Sequence, residues 1–151
     1  MGTFTEQFNQ AVAKIKARAA AVATETVVAV GASVVDKSPY AEPQDWNPPN
    51  KTHVPGQFRG SWHHSTGAPS DDTSTTVDRS GESSMAEINA GAHATPFAAH
   101  FITSNVEYAW QMERGGAIHA MAHQPVAHAM IGLTQIEFPQ IVHGVVRGAG
   151  T

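Results

Sequence analysis

The stretch TFTEQFNQAVAKIKARAAAVATETVVAVGASVV, residues 3–35, reads as one long helix and decides the fold class. Phe4, Phe8, Val12, Ile15, Ala19 and Val22 recur at steps of four, four, three, four and three, so they share one stripe of a helix. Glu6, Lys14, Lys16, Arg18 and Glu25 fall mainly off that stripe. Thr3 and Glu6 have capping-box spacing, in which each side chain accepts from the other's backbone N–H at the helix start. The valines at 27, 28, 30, 34 and 35, with Gly31 among them, lower helix propensity, so the last turns are expected to fray. Ser38-Pro39 ends the element, because a residue before proline is pushed out of the α region. The apolar run 19–35 is broken by Thr24-Glu25-Thr26 and is not expected to span a membrane. Glu6 and the lack of a basic start argue against a secretory signal.

Downstream, residues 36–56 hold five prolines and read as an extended loop with Tyr40 and Trp46 as aromatic handles. Residues 57–64, QFRGSWHH, read as a turn or short helix entering a strand. Residues 65–84 are small, polar and acidic, which suits an exposed loop, with Thr75-Thr76-Val77 as a candidate strand. For 85–90, helix and strand stay open. Residues 97–105 read as a strand. Residues 106–114 read as a short helix with Asn105 as N-cap and Gly115-Gly116 as its stop. Residues 126–134, VAHAMIGLT, suit a strand, and Thr134 would cap a final helix over 135–147 with Pro139 near its first turn. The order implies a single α+β domain over 1–151: long N-terminal and C-terminal helices packed on a mostly antiparallel sheet, with long loops.

Composition narrows the function classes. Net charge is −4 and the nine Lys and Arg are scattered, whereas a nucleic-acid binder is expected to carry a basic face. The absence of cysteine excludes disulfides, thiolate metal sites and a cysteine nucleophile. Charged residues make up 15% of the chain, and this scarcity, with nine Pro and thirteen Gly, points to ordered loops and contact surface. No Gly-x-Ser-x-Gly elbow, paired-carboxylate site or phosphate-binding loop is present; Ser61 reads as a turn residue and Asp71-Asp72 as a solvated loop. The chief rival signal is His119, His123 and His128, whose spacing raises a metal-dependent hydrolase as the alternative from another class. Pro125 follows His123 closely and no carboxylate lies between Ile118 and Gln135, so no metal, cofactor or catalytic residue is assigned. His63-His64 can meet His93 or His100 only through the fold.

Three segments carry a family resemblance. VVDKSP (34–39) ends the long helix. GQFRGSW (56–62) has a Gly-x-Leu/Phe-Arg-x-Ser-Trp form, and SNVEYAWQMERGG (104–116) an Asn-x-x-Tyr-Ala-x-x-x-Glu-x-Gly form. In this order and spacing, with the closing MIGLTQIEFPQIVHGVV, the chain resembles the tail-completion, or head–tail joining, proteins of siphophages over about residues 5–147. It departs from them at Pro55, where a threonine is usual, and in its longer 40–55 linker. The resemblance implies a non-enzymatic virion protein made in the host cytoplasm. It implies a homo-oligomeric, six-fold ring in the neck between a head-side connector or stopper and the tail tube or its terminator. Genomic DNA would pass through the lumen without specific binding, and no membrane is involved. The alternative within phage structure is a tail terminator capping the tube.

Tyr40, Trp46, Phe58, Arg59, Trp62, Trp110 and Glu113 are the expected interface residues. Phe58 and Trp62, four apart, can share a face, and Arg59 can pair with a carboxylate such as Glu113. Tyr108 is expected in the core, with Trp110 open between core and interface. The 39–56 and 65–84 segments are expected to order on assembly.

Overall fold

The computed structural model describes residues 3–39, 55–114 and 129–149. It is α+β, with helices packed about a small antiparallel sheet. Helix α1 runs Phe4–Lys37 and opens on the expected capping box: Glu6 N donates to Thr3 Oγ1 (3.3 Å) and Thr3 N donates to a Glu6 carboxylate oxygen (2.6 Å). Its C-terminal turns do not fray. Val34 and Val35 are buried, and Gly31 lets the next helix approach, since a Cβ there would stand 2.8 Å from Ile88 Cγ2. Packing thus overrides the low propensity of the valine-rich end. Ser38, in extended conformation before Pro39, closes the helix.

A turn at 55–58 and a 3-10 turn, Arg59–Ser61, feed strand β1, Trp62–Thr66. Gly56 has φ +94°, and a Cβ at Gly56 or Gly60 would stand 2.7–2.8 Å from the backbone of Arg79 or Thr76. Both glycines therefore let the 76–79 segment cross the turn at close range. Ser61 is the turn residue expected: its Oγ donates to Phe58 O at 2.7 Å. Among the described residues Thr75-Thr76-Val77 joins no strand.

Residues 85–90 belong to helix α2, Glu82–Ala94. Its N-terminus has no side-chain cap from Gly81 but is served by Asp78. The Asp78 carboxylate accepts from the N–H groups of Ser80, Gly81 and Ser83 and from both serine hydroxyls, at 2.6–3.0 Å. The Ser80 hydroxyl is the largest of the influences that hold its pKa far below the ordinary 3.8. A carboxylate so depressed stabilises the fold above about pH 4, and its contribution is lost as the pH falls below that toward the folded value. Asp78→Ala is therefore expected to lower stability by about 1 kcal/mol at neutral pH. Urea titrations of both proteins should show that difference shrinking below about pH 4; a pH-independent difference would speak against the carboxylate.

Strand β2, His100–Ser104, pairs antiparallel with β1 in the register Trp62↔Ser104 to Thr66↔His100. The short helix α3, Ala109–Arg114, is preceded by Asn105, which is not its cap: the Asn105 amide donates to Ser70 O and Asp72 O instead. Helix α4 spans Met130–Gly148 and corrects the expected 126–134 strand over its described part. Thr134 lies inside α4, buried, its hydroxyl 2.8 Å from Ser33 Oγ. Pro139 falls mid-helix, where it leaves the Gln135 carbonyl without an amide donor. The cap comes from afar. Glu113 on α3 accepts from Ile131 N and Gly132 N, both at 3.0 Å, placing a carboxylate at the positive end of α4. Glu113→Ala is expected to destabilise the fold by about 1 kcal/mol, read as a shift in thermal midpoint; an unchanged midpoint would remove this role.

Helices α2 and α4 both run antiparallel to α1. Thr24 meets Ala92 and Gly31 meets Ile88, while Ser38 meets Met130 and Ser33 meets Thr134. Both therefore lie along its C-terminal half. The core (Val35, Phe58, Trp62, Ile88, Met112, Met130) fills the space between these helices and the sheet.

Candidate functional site: apolar interaction surfaces

Two of the residues expected at an interface lie inside. Phe58 and Trp62 are each 4% exposed. Their rings are 5.8 Å apart, and Phe58 also meets Tyr108 at 5.8 Å. Tyr108 is half-buried, as expected of a core residue, and burial raises its pKa. Trp62 Nε1 donates to Ser38 Oγ at 2.8 Å. Arg59 does not pair with Glu113. Its guanidinium donates to the carbonyls of Ser38 (2.8 and 3.0 Å), Arg79 (3.0 Å) and Asp36 (3.3 Å), so it satisfies the open C-terminus of α1. Glu113 serves α4. Phe58 and Trp62, buried within the fold, are therefore corrected from contact residues to architecture, while Arg59 and Glu113 are half-buried and hold helix ends. Trp110 is 62% exposed and carries the Arg114 guanidinium 4.1 Å above its ring. Tyr40 and Trp46 lie outside the described residues, as do Gly115-Gly116 and His119, His123 and His128.

The fold does bring histidines together. His64 Nε2 and His100 Nδ1 are 2.8 Å apart across the sheet, and His63 Nδ1 lies 3.3 Å from a Glu87 oxygen. The other Glu87 oxygen accepts from His64 N at 2.8 Å. Burial first, then the neighbouring His100, lower the His64 pKa, and Glu87 opposes them. The pair sits tight on α2, since a Cβ on Gly91 would overlap the His64 ring. His93 stays apart, bonded to Asn89 O. Among the described residues no group of three or more His, Cys, Asp or Glu is placed to hold a metal. Among the described residues, His63 Nε2 and His100 Nε2 are buried without partners.

What the sequence did not disclose is how much apolar surface stays bare. Residues 3–19 are exposed throughout except Val12, so most of the apolar stripe on this half of α1 faces solvent. Phe4 is 82%, Phe8 58% and Ile15 68% exposed. α1 is long and apolar enough to cross a membrane by length and composition, although its C-terminal half packs on α2 and α4. On α4, Ile131, Leu133, Ile136 and Phe138 are exposed. Their signal was available: α4 carries only Glu137 and Arg147 as full charges, and Leu133 and Ile136 fall on the side of Glu137, Gln140, His143 and Arg147, away from its main apolar face. Beside it a groove of about 350 Å³ opens between α1, the sheet and α4. Trp62, Val30, Val34, Ile102, Ile131 and Phe138 give it apolar walls, and His100, Thr134 and Gln135 its polar points. The chain matches no known family model, no curated protein and no solved structure.

Proposed function

We propose that this chain is a structural virion subunit that packs against copies of itself and against neighbouring proteins as a ring in the neck of a long-tailed phage, joining the filled head to the tail tube. The observation that carries the assembly role is the apolar surface left bare on the first half of α1 and on α4, in a domain that has a core of its own. Contiguous bare apolar surface marks a contact site more often than an accident of folding. The phage assignment draws support from the segments behind the resemblance. VVDKSP, GQFRGSW and the Tyr108–Glu113 segment meet in space: Arg59 and Trp62 bind Ser38, Phe58 meets Tyr108 in a tilted ring contact, and Glu113 holds the start of α4. Their order in the chain thus serves one packed unit.

The test is in the particle. Mass spectrometry of purified phage encoding the chain should find it in virions, and a deletion mutant should accumulate filled heads beside finished tails. Overlong tails would reassign it as a tail terminator, and particles lacking the polypeptide would end the proposal.

A further inference from the structure

We infer that copies of this chain join head to tail, the bare N-terminal half of α1 from one copy seating in the α1–sheet–α4 groove of the next. This rests on the proposal that the chain assembles with itself, and it names the surfaces that do so.

The two surfaces differ in shape. One is convex: a helix stripe with Phe4 and Phe8 stacked at 6.3 Å and Ile15 two turns further on. The other is concave, about 350 Å³, walled by α1, α4 and the sheet, with no Asp, Glu, Lys or Arg in its lining. An amphipathic helix laid into an apolar groove, anchored at i, i+4 and later turns, is a common mode of protein recognition. Stripe against stripe would leave the groove empty, whereas stripe in groove covers both.

The occupant is a second copy because α1 cannot lay its own stripe into its own groove. Val30 and Val34 in the groove wall belong to the same helix that carries the stripe. Residues 4–30 contain neither Gly nor Pro, the usual causes of a sharp bend. At 1.5 Å per residue, Ile15 stands roughly 22 Å along the axis from Val30 and Phe8 further still. A rigid element thus holds two mutually suited apolar surfaces out of reach of each other, and they can meet only between molecules. The area is of the right order: with Phe4 82% and Phe8 58% exposed, these two rings alone offer roughly 200–350 Å², a quarter or more of the roughly 800 Å² per partner of a standard interface. Contact between unlike patches is heterologous and propagates, so it builds a closed ring when the rotation closes and a filament when it does not.

Sedimentation velocity on the full chain tests this with two variants and their mixture. Phe8→Glu spoils the stripe and leaves the groove; Gln135→Arg blocks the groove and leaves the stripe. Both positions are exposed, so each variant should keep the wild-type helical circular dichroism and melting curve, and Ile15→Glu and Ile131→Arg repeat the pair at independent sites. Wild type is expected to form species larger than a dimer, and each variant alone to sediment as a monomer. Their equimolar mixture should form a one-to-one dimer that grows no further, because one good stripe and one good groove remain. A wild type monomeric at every concentration overturns the inference, as does a mixture that stays monomeric while wild type assembles. Assembly that persists in both variants removes this docking but leaves a self-assembling subunit in place. A chain missing from virions does the reverse.

Discussion

Trp62→Ala is expected to lower stability by about 3–5 kcal/mol, the range for removing a large buried aromatic side chain. Against a typical total of about 5–15 kcal/mol, this leaves a marginal domain. Trp62 is 4% exposed, packs on Phe58, and holds Ser38 Oγ through its indole N–H. Its backbone N–H also donates to the Ser84 hydroxyl oxygen of α2. One residue therefore joins the end of α1, the sheet and α2. Trp62→Phe separates its two contributions, keeping most of the packing while ending the bond to Ser38, and is expected to lose roughly 1–2 kcal/mol. Urea unfolding followed by circular dichroism gives both values. A loss below about 1 kcal/mol for the alanine variant would show that this indole is not the centre of the packing.

Gly81→Ala should be the next most damaging change, at about 2–5 kcal/mol. Gly81 has φ +79°, a left-handed conformation that carries roughly 1–2 kcal/mol of strain for a residue with a Cβ. The added carbon would also overlap Val35 Cγ1 and stand 3.0 Å from Arg59 Cγ, and overpacking of this kind costs about 1–3 kcal/mol. Gly67 supplies the control. Its φ is +84°, but nothing lies within 4 Å of a Cβ built there, so Gly67→Ala should show the backbone strain alone. Equal losses in the two variants would mean that crowding against Val35 contributes nothing.

Local rules made the ends of α1 legible. A capping box and a Ser-Pro step act through a few neighbouring atoms, and Thr3, Glu6 and Ser38 do what their spacing implies. The turn into β1 was legible for the same reason, since Gly56 and Gly60 answer to a nearby backbone. The start of α4 was not. Its cap is Glu113, seventeen residues before Met130, and its β-branched, apolar opening has the composition of a strand. The antiparallel sheet was expected, but Thr75-Thr76-Val77 crosses the Gly56–Gly60 turn and takes no part in it. The contact residues were misread because aromatic content says that Phe58 and Trp62 bury area without saying against what. The stripe of α1 was legible as a stripe, but its period is the same whether it faces a core or solvent, and among the described residues Phe4, Phe8 and Ile15 meet no core.

The unbroken α1 has a mechanical consequence. Among the described residues, the body grips only its second half, through the Thr24, Gly31, Ser33 and Ser38 contacts. The first half is a lever arm of roughly 24 Å, given 1.5 Å per residue. Tilting the body by about ten degrees would swing the Phe4 end through roughly 4 Å, so a small reorientation at one end of the molecule arrives at the other as a displacement of side-chain size.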